Sequence, residues 1–165
     1  MYTTILLAAA LQKWERYSAH ALAAREVAAT LAKGTGKHLY VVSVYDYPSL
    51  TIGYLPAEIA SRQQDELWRR TDTLMVHKMD AYLAPLHSLG VEITPILRTG
   101  NPRDVIVQVA TNLKADLLIL GSHSKRGLMD IALGGTAQQV GKTVPCAVVL
   151  VSPKLAGGGG RRTAI

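Results

Sequence analysis

The sequence contains no phenylalanine, and only one of its 165 residues is a cysteine. A single cysteine excludes an intramolecular disulfide framework and a metal site built from cysteines alone, and it is typical of a reducing compartment. Charged residues make up only 18% and hydrophobic residues 48%, which excludes a disordered chain and a coiled coil. The length and composition therefore indicate one globular domain with a sizeable core.

Long apolar segments are also absent. No run reaches the ~18 residues that a transmembrane helix needs. The apolar run at residues 5–11 has no basic segment before it, and it is shorter than most signal-peptide cores. We interpret it as a buried first strand, and we therefore expect a cytoplasmic protein with no membrane partner.

Acidic residues are fewer than basic ones, which gives a net charge of +6. This charge permits binding to anions, but it is a small excess for a nucleic-acid-binding protein, and no nucleic-acid motif is present. The low-complexity segment 157–160 consists of four glycines and is followed by Arg161 and Arg162. We expect residues 1–153 to form the domain and residues 154–165 to form a flexible, Gly-rich basic tail.

Apolar runs that predict strands alternate with segments of helical spacing, which indicates an α/β fold with a parallel sheet and helices on both faces. Pro95 cannot donate to a central ladder, so it predicts an edge position for the third strand. Ligands of such sheets bind beyond the carboxyl ends of the strands where the strand order reverses, here the loops after the first and fourth strands. The predicted strands are residues 3–9, 39–45, 91–97, 117–120 and 146–151, and the predicted helices are residues 15–33, 56–89, a helix that begins at Pro102, and residues 134–142.

A polar, glycine-containing loop follows the fourth predicted strand. It reads GSHSKRG from Gly121, and the pair Gly134 and Gly135 with Thr136 precedes the next helix. Glycines allow backbone N–H groups to approach a phosphate closely, hydroxyls add donors, and a helix N-terminus favours an anion. The loop indicates a phosphate-binding site, and the alternative is a solvated loop whose glycines only serve the turn.

Two other motifs near this loop predict no chemistry. Residues 135–143 nearly match a P-loop, but they enclose five residues where the motif needs four, and they close a helix where the motif opens one. We interpret Gly141 as the end of that helix. Ser122, His123 and Asp130 lack the elbow motif of a hydrolytic triad. No histidine pair has metal-ligand spacing, so we predict no catalytic and no metal-binding residues.

The run GSHSKRGLMDIALGGTAQQVGKTVPCAVVLV resembles the C-terminal signature of the universal stress protein family. The first strand, the NPRDVIVQVA helix start and the ADLLILGSHS strand and loop are similar to the same family, so the resemblance covers about residues 3–152. It implies a five-stranded, Rossmann-like α/β fold with parallel strand order 3-2-1-4-5, usually as a homodimer. We predict strand 146–151 as the dimer edge, because an apolar edge strand would otherwise be a pairing liability.

One branch of that family binds ATP through a pattern of Gly, two residues, Gly, nine residues, Gly, and Ser or Thr. By this resemblance, Gly121 and Gly134 occupy the first and third glycine positions. Ser124 stands at the second glycine position. Gly135 stands at the last position, with a hydroxyl one residue later at Thr136.

The other nucleotide contacts of the family fall on the strands. The resemblance places Val44 and Leu120 on the adenine side and Ala8 at another first-strand position. Ala10 stands where the family usually has an Asp, which removes an acceptor for the ribose or the adenine. The resemblance thus implies ATP or AMP binding by an incomplete version of the family's site.

Two functions stay open at this stage. The first is a stress-response regulator that binds an adenine nucleotide, with at most slow hydrolysis because no residue is identified as a base for water. Mg²⁺ can accompany the nucleotide, with Asp130 as the nearest carboxylate. The second, which Ala10, Ser124 and Gly135 favour, is a dimeric protein-interaction module that binds no nucleotide and whose partner is unknown. Electrostatic binding of RNA or a membrane by the basic tail ranks below both.

Overall fold

The computed structural model describes residues 1–12, 16–34, 36–49, 54–121 and 135–153. Strands and helices alternate in these residues, and a 3-10 segment, Ala84–Leu89, extends the second helix. The strands are β1 (Thr4–Ala8), β2 (His38–Tyr45), β3 (Glu92–Thr99), β4 (Leu117–Gly121) and β5 (Ala147–Val151). The helices are α1 (Ala19–Leu31), α2 (Ala57–Leu83), α3 (Pro102–Asn112) and α4 (Gly135–Thr143). The predicted tail at residues 154–165 lies outside the described residues.

The five described strands form one parallel sheet in the order β3-β2-β1-β4-β5. This order confirms the predicted fold class and the predicted strand order. Pro95 lies in β3 at one edge of the sheet, as its missing N–H requires. The strand order reverses between β1 and β4: β2 and β3 lie on one side of β1, and β4 and β5 lie on the other. A ligand site is therefore expected at the carboxyl ends of β1 and β4.

Two cores form because successive side chains of a strand point to opposite faces of the sheet. On one face, Ile5 and Leu7 of β1 belong to a cluster with the buried residues of α1 and α2, such as Met79. On the other face, Leu6 belongs to a cluster with α3 and α4, for example Val140. Burial on both faces explains why β1 reads as a continuous apolar run.

Helix α1 begins later than the sequence predicted. It starts at Ala19 and not at residue 15, because Ser18 is extended and caps it. The Ser18 Oγ accepts a hydrogen bond from the backbone N–H of Ala21 at 3.1 Å. A side chain that satisfies a free N–H in the first turn fixes the start of a helix more strongly than alanine-rich composition does.

Two other helix ends test predictions from the sequence. The α-helical geometry of α2 ends at Leu83, ahead of Pro85, and the 3-10 segment continues to Leu89, the predicted end of the helix. Helix α4 passes through Gly141 and ends at Thr143, so the interpretation of Gly141 as its end is wrong. No helix in the described part of the chain is long and apolar enough to cross a membrane.

Candidate functional site

A pocket of about 300 Å³ lies at the carboxyl edge of the sheet, where the strand order reverses. The ends of β1, β2 and β4 line it together with the first turns of α1, α3 and α4. In a parallel sheet each helix that follows a strand begins near the carboxyl end of that strand, so the first turns of these helices lie at the same edge of the sheet. The pocket therefore collects residues that are far apart in the sequence.

The structure brings together seven of the nine predicted site residues. All seven line this one pocket, and they come from β1 and its end, β2, β4 and α4. They are Ala8, Ala10, Val44, Leu120, Gly121, Gly135 and Thr136. The other two, Ser124 and Gly134, lie outside the described residues, as does Asp130. The shared pocket agrees with the site that the sequence predicted, while the role of these residues in binding stays a prediction.

Sequence reasoning missed the part of the lining that α1 and α3 contribute. Ser18 and His20 at the start of α1, and Pro102 and Ile106 in the first turns of α3, also face the pocket. Ser18 could have been identified as the N-cap of α1, and this would have placed Ser18 and His20 at the start of the helix. The predicted start at residue 15 placed them further along the helix. The Asn-Pro start of α3 was predicted correctly, but it was not connected to the site.

Gly121 allows β4 and α1 to approach closely at the pocket. A Cβ built on Gly121 would lie 3.1 Å from both the Cβ and the carbonyl oxygen of His20. These distances are shorter than ordinary van der Waals contact, and a backbone oxygen inside a helix cannot move aside easily. Glycine at this position therefore brings the end of β4 against the first turn of α1.

Gly135 has a different neighbour, the guanidinium of Arg103 in α3. A Cβ built on Gly135 would lie 2.8 Å from the Arg103 Nη2. The start of α3 is fixed by Asn101, whose Oδ1 accepts a hydrogen bond from the Arg103 backbone N–H at 2.9 Å, and by Pro102 at the first helical position. The first turns of α3 and α4 therefore lie beside each other, with the Arg103 side chain against the start of α4.

The chain segment that carries Ala10 is held by hydrogen bonds on both sides. The Gln12 side chain donates to the Asp46 carbonyl oxygen at 2.6 Å and accepts from the Asp46 N–H at 2.9 Å. The Lys78 Nζ of α2 donates to the carbonyl oxygens of Leu11 and Gln12 at 3.0 and 3.1 Å. These bonds fix the segment after β1 relative to β2 and α2, so this side of the pocket is preorganised.

The pocket is apolar along the strands and positive at the helix ends. None of its described lining residues is an Asp or a Glu, and its polar side chains in the described part are those of Ser18, His20 and Thr136. Helix N-termini carry partial positive charge, and three of them meet here. Within the described ranges, no group of three or more His, Cys, Asp or Glu residues is placed to hold a metal ion. The arrangement can accept a flat apolar group together with an anion.

Comparison with known proteins places this geometry in a family. The model of the universal stress protein family matches residues 1–152. The universal stress protein MJ0531 of Methanocaldococcus jannaschii is 32% identical over 130 residues, which are 79% of this chain and 74% of that protein. A universal stress protein of Thermus aquaticus is 30% identical over 151 residues, which are 92% and 99% of the two chains.

Solved structures share the fold. The structure of hypothetical protein MJ0577 has a TM-score of 0.71 and 25% identity, and the match covers 93% of this chain and 98% of that one. Three universal stress protein structures of 19–22% identity are complexes with cAMP, with AMP (Arabidopsis thaliana) and with dAMP (Archaeoglobus fulgidus). Their TM-scores are 0.62, 0.62 and 0.55, and the matches cover 93%, 93% and 91% of this chain and 99%, 93% and 98% of theirs.

Proposed function

The chain belongs to the universal stress protein family, and from this premise we propose that it binds an adenine nucleotide in the pocket at the reversal of strand order. The observation that carries the proposal is that seven residues, predicted from the family's binding pattern and scattered along the sequence, line one pocket. The complexes of related folds with cAMP, AMP and dAMP support the same ligand class.

The chemistry of the pocket suits the two ends of such a ligand. Val44 and Leu120 provide apolar surface for the adenine ring. Backbone N–H groups around Gly121 and Gly135, together with the Thr136 hydroxyl, would hold the phosphates at the start of α4. No described lining residue carries a carboxylate that would repel a phosphate. The described lining offers no carboxylate to hold Mg²⁺. Mg²⁺ would therefore be held by the phosphates and would enter the pocket together with the nucleotide.

The proposed role is that of a nucleotide-dependent regulator in the stress response, with at most slow hydrolysis. The described lining contains no carboxylate base, and a preorganised base is what rapid attack of water on a phosphate requires. A cytoplasmic location and a homodimer through strand 146–151 complete the proposal. Strand β5 supports the second point, because it lies at the sheet edge opposite β3.

Calorimetric titration with ATP and with AMP, each with and without Mg²⁺, tests the proposal after the purified protein has been checked for bound nucleotide. We expect micromolar affinity or better for the wild type. Thr136→Asp should reduce the affinity by tenfold or more, because a negative charge would stand where the phosphates bind. The same charge in the first turn of a helix should leave the thermal stability unchanged or slightly higher.

Gln138→Asp is the matched control. Gln138 is exposed on the same helix, outside the pocket lining, so this variant should keep most of the affinity. Absence of ATP and AMP binding by the wild type, with no nucleotide carried through purification, would overturn the proposal. That result would favour the dimeric protein-interaction module, and the search would move to protein partners.

A further inference from the structure

Arg103 lies at the rim of the pocket. It is exposed in the first turn of α3, between two residues of the pocket lining, Pro102 and Ile106. The guanidinium reaches across to Gly135, another lining residue and the first residue of α4, where its Nη2 lies 2.8 Å from the position that a Cβ would take. Arg103 itself is not part of the described lining, so its charge stands beside the pocket, next to Gly135.

This position is electrostatically unfavourable for a cation without an anion. The first turn of α3 and the start of α4 are the positive ends of two helices, where arginine is disfavoured and anions are favoured. Among the residues that the structure describes, no carboxylate lies within ion-pair distance of the guanidinium, whereas Arg70 on α2 pairs with Glu66 at 2.9 Å. An anion at this point would be stabilised by the guanidinium and by both helix ends together.

Gly135 provides the space for this arrangement. The binding pattern of the family has Ser or Thr at this position, but any Cβ here would lie 2.8 Å from the Arg103 Nη2. Glycine at this position removes a hydroxyl donor, and the flexible end of the Arg103 side chain lies in the space that a Ser or Thr side chain would enter. A guanidinium offers a planar set of N–H donors that matches two phosphate oxygens and carries a full charge.

We propose that Arg103 binds the distal phosphates of the ligand and makes the site select nucleotides with a long phosphate chain, ATP over AMP. This inference rests on the proposed function of the same pocket. In this arrangement a phosphate next to the nucleoside would lie inside the pocket, and only the end of a longer phosphate chain would reach the rim, where Arg103 stands. Arg103 thereby replaces the donor that is lost at Gly135 and adds a positive charge.

The test is titration of the full chain with ATP, AMP and inorganic tripolyphosphate. Arg103→Gln should weaken ATP and tripolyphosphate binding by about tenfold or more, the size of one charge-assisted contact, and AMP binding by less than about threefold. Lys114→Gln removes the same charge from the other end of α3, and it should leave all three affinities unchanged.

A second variant tests the pairing of the two residues. Gly135→Ser restores the hydroxyl donor of the family pattern, and its Cβ would require the flexible end of Arg103 to move. We expect it to weaken ATP binding in the wild-type background, where it displaces the guanidinium, and to restore part of the binding in the Arg103→Gln background, where its hydroxyl replaces the missing donor, a non-additive result that a merely structural role for either residue would not produce. Additive effects would overturn the pairing.

The outcomes separate this inference from the proposed function. If the wild type binds ATP and Arg103→Gln binds it equally well, the role of Arg103 is overturned and nucleotide binding stands. If the wild type binds tripolyphosphate through Arg103 but no nucleotide, the phosphate site stands and the proposed adenine-nucleotide function is overturned. If the wild type binds none of the three, both are overturned.

Discussion

At the scale of single residues, two glycines have opposite surroundings and should respond oppositely to the same substitution. Gly121→Ala puts a methyl group 3.1 Å from the His20 carbonyl oxygen, and we expect it to destabilise the protein by roughly 1–3 kcal/mol, as overpacking does. Gly141 lies inside α4 with nothing within 4 Å of its Cβ position. Gly141→Ala should stabilise the protein by about 0.5–1 kcal/mol, the difference between the two residues in a helix.

Urea unfolding of the two variants measures both effects, as shifts of the transition midpoint in opposite directions. Gly141→Ala is the control for the general effect of replacing glycine, since it removes the same backbone freedom without a contact. A midpoint for Gly121→Ala equal to or above that of the wild type would show that β4 and α1 are not packed this closely at the pocket.

The sequence could predict which single residues belong to the candidate site, but it could not predict their neighbours. The positions of Gly121 and Gly135 were predicted from a pattern of spacing, and both line the pocket. The close neighbours of the two glycines were not predictable, because they are His20, about a hundred residues earlier, and Arg103 on another helix. Such contacts depend on the packed fold and leave no local signal.

At the scale of elements, Asp116 anchors the central strand from outside it. Its Oδ2 accepts hydrogen bonds from the backbone N–H groups of Thr4 and Thr3, at 2.8 and 2.9 Å, and from the Thr3 hydroxyl at 3.0 Å. Asp116 lies immediately before β4, so these bonds join the starts of β1 and β4. The hydrogen bonds from Thr4 and Thr3 hold the pKa of the Asp116 carboxyl below its usual value, because all of them favour the charged form.

This lowered pKa predicts a loss of stability in acid. The folded pKa is below that of the unfolded chain, about 3.9, so the contribution is fully present above that pH and is lost as the pH falls through the folded pKa. Asp116→Asn should lower the free energy of unfolding at pH 7. It should also make the stability fall less steeply than in the wild type below about pH 4.

Denaturant unfolding between pH 2.5 and pH 7, roughly the range over which carboxyl groups titrate, compares the variant with Asp65→Asn. Asp65 is exposed on α2, and its carboxylate has no hydrogen bond to the sheet in the described structure. This control removes an acid group without removing the anchor. Parallel pH profiles for the wild type and Asp116→Asn would contradict the assigned role of Asp116.

Element types were predictable, but their ends were less so. The Asn101 and Pro102 start of α3 was predicted correctly because both signals act within the first turn. The start of α1 was misplaced because alanine favours helix at every position and marks no beginning, whereas one serine hydroxyl decides where the helix starts. That error also concealed the contribution of α1 to the pocket.

At the scale of the whole molecule, composition and periodicity predicted a parallel α/β sheet, but the strand order required more. Pro95 placed β3 at an edge through its missing donor. The remaining order depends on pairings between distant segments, such as β1 with β4, and it came from the family resemblance. The position of the pocket then follows from the order, because the helices that follow β1 and β4, α1 and α4, pack on opposite faces of the sheet.

The two edges of the sheet are protected differently, and this difference predicts the oligomeric state. Strand β3 carries Pro95 and the charged residues Glu92 and Arg98, which discourage pairing with another strand. Strand β5 is a run of alanine, valine and leucine, and its Leu150 is 39% exposed. In the described residues the ladder partner of β5 is β4, and a second copy of the chain at the other side of β5 would cover its apolar residues.

We therefore expect a dimer in light scattering, and we expect Leu150→Lys to give a monomer, because a charged side chain at the contact would lose its water. The neighbouring Val149 would not serve for this test, because its side chain packs against the core and its replacement would also destabilise the fold. Leu74→Lys is the matched control, since Leu74 is 51% exposed on α2 and its variant should remain a dimer. A wild-type monomer, or a dimer that survives Leu150→Lys with unchanged thermal stability, would place the interface elsewhere or exclude it.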